Sequence, residues 1–182
     1  MSFQGRPNKR REKTKKPLTE ASLEFRALAY AERFSTTGHR MRAVLERAIR
    51  RSALPEDAER LRAAAEKLVE RLIRAGVVNE ERFGEARASR LHRQGHSARA
   101  IGERLRVAGL SSEQIQRSIA EAGAGGLEGE RAAARAYAKK RRLGAFRGED
   151  PAPFRQKDLA AMARRGFSRR VSEEILGRGE DE

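Results

Sequence analysis

The feature that most limits what this chain can fold into is a run of short apolar stripes cut off at regular intervals by glycine. It is clearest between Ala75 and Ile119. Gly76 sits where a left-handed residue closes a helix. Asn79 follows as an N-cap, and Glu80 and Glu81 place negative charge at the positive end of the helix dipole. The spacing predicts a helix to about Gln94 that buries Phe83, Ala86 and Leu91, with Gly95 as its stop. A second helix starts near Ser97, with Ala98, Ile101, Leu105 and Ala108 on one stripe and Gly109 at its end. Ser111 and Gln114 match the capping-box spacing, so a third helix opens there and carries Ile115, Ile119 and Ala122. Helices this short are marginal alone in water and must bury their stripes on one another.

The flanking chain reads the same way. Leu23, Ala27, Leu28, Ala31 and Phe34 are the expected core of a first helix. Met41, Val44, Leu45, Ala48 and Ile49 serve a second, and Leu61, Leu68 and Leu72 a third that opens near Pro55. The sequence from Gly38 through Arg47 resembles that from Gly95 through Arg104 at an offset of 57 residues. Gly109 and Gly166 are again 57 apart. A supersecondary unit that recurs at a fixed period marks a repeat architecture. After the glycines of residues 123–126, Arg131 to Arg142 is expected to be helical, with Ala133, Ala134, Tyr137 and Ala138 inward. Leu159, Met162 and Ala163, then Val171, Ile175 and Leu176, supply two more stripes.

The expected fold is therefore all-α: an elongated, curved array of three tandem three-helix, helix-turn-helix-like repeats. They cover residues 18–76, 77–123 and 124–177, between a disordered basic tail (1–17) and a frayed acidic one (178–182). Charged residues make up 37% of the chain and aromatics only 5%, which favours thin layers of Ala, Leu and Ile over one large core.

Function is bounded mainly by charge. Lys plus Arg number 41 against 26 acidic residues, a net +15, which points to a polyanionic partner. The candidate basic face comprises Arg87, Arg90 and Arg93, Arg99 and Arg106, the run Lys139, Lys140, Arg141 and Arg142, and Arg164 with Arg165. For any one of these the bland alternative is a solvated face. No cysteine is present, so disulfides and thiolate metal sites are excluded. His92 and His96 have helical metal-pair spacing, but Gly95 intervenes and no third ligand is evident. No phosphate-binding glycine loop or nucleophile motif occurs, so neither an enzyme nor a cofactor is expected. No secretory leader, membrane span or small-molecule substrate is indicated, and a cytoplasmic monomer is expected. With no Trp and two Tyr, base stacking is not expected to dominate any contact with DNA.

The run Gly76-Val77-Val78-Asn79-Glu80-Glu81-Arg82-Phe83, then Gly95, Ile101, Leu105 and Gly109-Leu110, resembles the core signature of the RecX family. Arg164-Arg165-Gly166-Phe167 is similar to that family's C-terminal motif. The chain departs from the pattern at Asn79, Gly84, His96, Ser97 and Ala98, which are mostly cap, surface or small-residue positions. The resemblance spans roughly Leu23 to Leu176. It implies a bacterial regulator of the RecA recombinase. Such a protein would lie in the groove of the RecA–DNA filament and depress filament extension, ATP hydrolysis, strand exchange and coprotease activity, with a weak contact to DNA. Two other readings remain open: a sequence-independent helical DNA-binding protein, and a basic protein associated with RNA or a membrane surface.

Overall fold

The computed structural model describes residues 18–177; the two tails named above lie outside the described residues. Among the described residues there are nine α-helices and no strand. They are α1 (Glu20–Arg33), α2 (Gly38–Ser52), α3 (Ala58–Arg74), α4 (Glu80–Arg93), α5 (Ala98–Val107), α6 (Ser112–Glu121), α7 (Gly126–Arg141), α8 (Arg155–Arg164) and α9 (Arg169–Gly177). Single 3-10 turns at Pro55–Asp57, Gly144–Phe146 and Ala152–Phe154 lie in the longer connections.

The helix starts are set by side chains. Thr19, Thr37, Asn79, Ser97 and Ser111 each accept a hydrogen bond from a first-turn amide, and the Ser111–Gln114 capping box closes in both directions. The ends are equally uniform. The amides of His96, Leu110, Ala124, Leu143 and Phe167 each donate to the carbonyl five residues earlier. That bond is the outer one of a Schellman end, and the residue making it packs back on its own helix. All five are buried. A glycine with positive φ precedes four of them, and Arg142, at φ 51°, precedes Leu143.

Buried apolar side chains fall into three clusters. One joins α1, α2 and α3 through Leu23, Met41, Leu45, Leu61, Val69 and Leu72. The next joins α4, α5 and α6 through Phe83, Ile101, Leu105, Ile115 and Ile119. The last joins α7, α8 and α9 through Ala134, Ala138, Met162, Phe167, Val171 and Ile175. Val78 is buried with the first cluster and Ala124 with the second, so each linker packs an apolar residue back onto the helices before it.

Several expected core positions differ. Ala86 is exposed and Ala88 is buried in its place, because Ala88 and Leu91 lie one turn apart on the side of α4 that faces α6. Leu28, Phe34 and Ala163 are exposed, since the faces of α1 and α8 that carry them have no helix against them. The 57-residue register holds from α5 to α8: Leu105 matches Met162 and Gly109 matches Gly166, each pair alike in burial or backbone. From α2 to α5 it shifts. Thr37, Met41 and Leu45 correspond in cap and burial to Ser97, Ile101 and Leu105, which are 60 residues on. Gly38 and Gly95 look alike in sequence but do different jobs. Gly38 is the first residue of α2, whereas Gly95 is the left-handed residue after α4.

The same joint links the clusters twice. The hydroxyl of Thr37, fully buried at the start of α2, donates to the Ala108 carbonyl at the end of α5 over 2.6 Å. The hydroxyl of Ser97, at the start of α5, donates to the Arg165 carbonyl at the end of α8 over 3.1 Å. Each hydroxyl also caps its own helix. The glycine that follows each acceptor lies against the partner helix start, Gly109 on His39 and Gly166 on Ser97.

Candidate cationic interface

Many arginines in this protein are committed to carboxylates. Arg42 grips Glu66 at 2.6 Å, Arg131 reaches Glu174 at 3.1 Å and Arg117 reaches Glu81 at 3.1 Å. One carboxylate in such a pair is buried: Asp158, 1% exposed, accepts from Arg147 at 2.6 and 3.1 Å and from the Gly144 amide at 2.8 Å. Burial works against the Asp158 carboxylate, but those donors outweigh it and hold its pKa below the ordinary value. The 143–153 connection is thereby pinned to α8, and Arg147 stacks over Phe154 at 4.1 Å.

A different group of arginines surrounds the joint between the first two clusters. Arg87 and Arg90 lie three residues apart on α4 and share a face. The guanidinium of Arg40, from the first turn of α2, sits 5.0 Å from the centre of the Phe83 ring, one turn below Arg87. Arg104 on α5 is held by the Ala100 carbonyl at 3.0 Å. Among the described residues, Arg40, Arg87, Arg90 and Arg104 pair with no carboxylate. They act on one another instead. Arg87 is half-buried, and burial lowers its pKa. The charges of Arg90, Arg40 and Arg104 lower it further.

Beneath this group lies His96, 6% exposed, with its Nδ1 making no hydrogen bond among the described residues. Burial, followed by the charges of Arg165, Arg104 and Arg87, brings its pKa down to about 4, so it is neutral at physiological pH. His92 is lowered by burial as well. Among the described residues no three His, Cys, Asp or Glu side chains gather as a metal site would require, and no helix is long and apolar enough to cross a membrane.

The residues singled out from sequence scatter over several surroundings. Arg87 and Arg90 belong to the crowded group. Arg93 is on the same helix but bonds the Ser89 hydroxyl. Arg106 is tied to Glu103 at 2.6 Å, and Arg99 is exposed on α5. Lys139, Lys140, Arg141 and Arg142 are exposed at the C-terminal end of α7, where cations complement the helix dipole. Arg164 is exposed. Arg165 turns inward. Its guanidinium lies 4.7 Å from the Tyr137 ring centre, its Nη2 reaches the Gln94 carbonyl, and its buried Nε bonds nothing among the described residues. Sequence reasoning missed Arg40 and Arg104, because the contacts that gather them cross from helix to helix. It also read Glu80 as a capping charge only. Glu80 accepts from the Gly38 amide and from Gln114, both at 3.1 Å, and so links α2, α4 and α6 beside the arginines.

Comparison with known proteins adds an independent line. No family model and no solved structure matches the chain. Among curated proteins, Regulatory protein RecX of Myxococcus xanthus is 35% identical over 179 residues, 94% of this chain and 95% of that protein. Proteins of the same name from Thermobifida fusca and Mycobacterium marinum are 33% and 30% identical, over 86% and 87% of this chain. Likeness of that level, running nearly end to end, agrees with the signature glycines, caps and stripes described above, and the chain belongs to the RecX family of regulatory proteins.

Proposed function

We propose that this protein is a mainly inhibitory regulator of the RecA recombinase that binds in the groove of the RecA–DNA filament. It works there as a cytoplasmic, monomeric, non-enzymatic ligand. Its three helical clusters act as tandem units of an elongated, curved array that bridges neighbouring protomers. Bound, it limits filament extension and with it ATP hydrolysis, strand exchange and coprotease activity. The observation that carries this reading is the near full-length similarity to proteins named Regulatory protein RecX. The net charge of +15 supports it, since a cationic array suits an anionic nucleoprotein groove.

The test is the DNA-dependent ATPase of RecA from the same organism. Purified protein lowers it at substoichiometric amounts, because one bound regulator stops a growing end that would have added many protomers. Unchanged ATPase and strand exchange at excess protein would overturn the proposal.

A further inference from the structure

In the last cluster the acidic side chains are all engaged, while several basic ones are not. Every acid described between Ala124 and Gly177 already has a partner. The last two are typical: Glu173 pairs with Arg169 at 2.8 Å, and Glu174 with Arg131 at 3.1 Å. Lys140, Arg141 and Arg142 at the end of α7, and Arg155 at the start of α8, pair with no carboxylate among the described residues. The fold carries both groups of cations to the end of α9. Gly144, two residues after Arg142, packs so closely on Leu176 that an added Cβ would fall 2.6 Å from its carbonyl oxygen. Arg155 lines one cleft with Gly144, Leu176 and Gly177. Gly177 is the last described residue, and the sequence after it reads Arg178-Gly179-Glu180-Asp181-Glu182.

We propose that residues 178–182 fold back on this end of the molecule as an internal competitor, setting Glu180, Asp181 and Glu182 against Lys140, Arg141, Arg142 and Arg155. The reach is sufficient. A residue spans at most about 3.3–3.6 Å, so three to five of them carry a carboxylate roughly 10–17 Å from Gly177. The charges agree, since acids with no place in the pairs above follow directly on cations that lack a carboxylate. Guanidinium groups also suit carboxylates, to which they offer paired donors. The tether matters as much as the charge, because it gives these carboxylates an effective concentration in about the millimolar range. Exposed ion pairs are individually weak, and salt screens them beyond about 8–10 Å. The contact therefore closes when nothing else is bound and yields to a denser polyanion. The basic end of α7 is shielded until such a ligand displaces the segment.

The inference stands apart from the recombinase reading, and its experiment contains no recombinase. The full chain is treated at low salt with a carbodiimide, which joins a carboxylate to a lysine only where the two touch. Cross-linked peptides of the monomeric fraction are then identified by mass spectrometry. Residues 18–177 hold Lys67 on α3 and Lys139, Lys140 and Lys157 in the last cluster. Carboxylates of 178–182 couple to Lys140 and not to Lys67, and the coupling fades in about 1 M salt. Its absence, or equal coupling to Lys67, overturns the fold-back. Heparin serves as the competing polyanion. Glu180→Gln/Asp181→Asn/Glu182→Gln binds it roughly tenfold more tightly at low salt, the combined effect of three weak exposed pairs. Glu32→Gln/Glu85→Gln/Glu121→Gln, with the same charge change on α1, α4 and α6, gains no more than about twofold. The gain from the first variant vanishes in a Lys140→Gln/Arg141→Gln/Arg142→Gln/Arg155→Gln background. Equal gains in the two acid variants, or a gain that persists in that background, overturn the competition.

Discussion

Replacing Gly109 by Ala, with Gly76→Ala as its partner experiment, measures how much the joint between the first two clusters contributes to stability. Both glycines are left-handed, at φ 91° and 72°. Forcing an L side chain into that region costs about 1–2 kcal/mol at either site. Around Gly76 nothing lies within 4 Å of an added Cβ, so that strain is the whole effect. At Gly109 the new methyl falls inside the contact distance of His39, whose Cγ would be 2.7 Å away. Neither partner can step back, because Thr37, two residues before His39, is held to Ala108, one residue before Gly109. Overpacking of this kind adds about 1–3 kcal/mol, so Gly109→Ala should cost about 2–5 kcal/mol in total. Urea denaturation followed by far-ultraviolet circular dichroism gives both values. A third variant isolates the contact. In a His39→Gly background the extra cost of Gly109→Ala should shrink to that of Gly76→Ala, giving a coupling energy of about 1–3 kcal/mol. If the two alanine variants agree within about 0.5 kcal/mol, the joint is not the close, fixed contact described here.

Two further expectations concern the last cluster. Arg142 is the one described residue other than glycine with positive φ, in a position that four parallel helix ends fill with glycine. Arg142→Gly should therefore raise stability by about 1 kcal/mol in a thermal or urea melt, and a loss of stability would refute the strain. Asp158→Asn should cost an amount near the low end of the ~3–5 kcal/mol typical of a broken buried pair, because Arg147 keeps Glu149 at 3.5 Å. It should also change the acid response. The folded Asp158 carboxyl has a pKa below 3.8, so its contribution is complete above that value and is lost as pH falls through the depressed one. The variant should lack that part of the wild-type decline at low pH, and an identical acid profile would count against the pair.

What was legible in the sequence was what is local. A cap needs a hydroxyl or amide within three residues of its amide, and a Schellman end needs a residue tolerant of positive φ followed by an apolar one. Asn79, Ser111 with Gln114, Gly109 with Leu110 and Gly166 with Phe167 could thus be read directly. Stripes such as Met41–Leu45–Ile49 and Ile101–Leu105 followed from period alone. Arg106 beside Glu103 was also within one turn. The errors arose where the answer lies on another helix. Whether Ala86 or Ala88 faces inward depends on where α6 lies against α4. The likeness of Gly38 to Gly95 concealed a three-residue shift, because Gly38 follows its helix cap Thr37 directly whereas Gly95 stands two residues before the cap Ser97. Of the eleven basic positions picked out, Arg87 and Arg90 meet, but their companions Arg40 and Arg104 come from helices whose approach no local spacing announces. Asp158, which no local pattern singles out, is the buried anchor of a loop.

The hydroxyls of Thr37 and Ser97 each answer to two masters, a first-turn amide of their own helix and the carbonyl terminating a helix in the next cluster. Swivelling one cluster against the next would strip the donor from the neighbour's terminal carbonyl and leave it unpaired in the joint. A load on the first turn of α2 is therefore felt at the last turn of α5, and a load on the first turn of α5 at the last turn of α8.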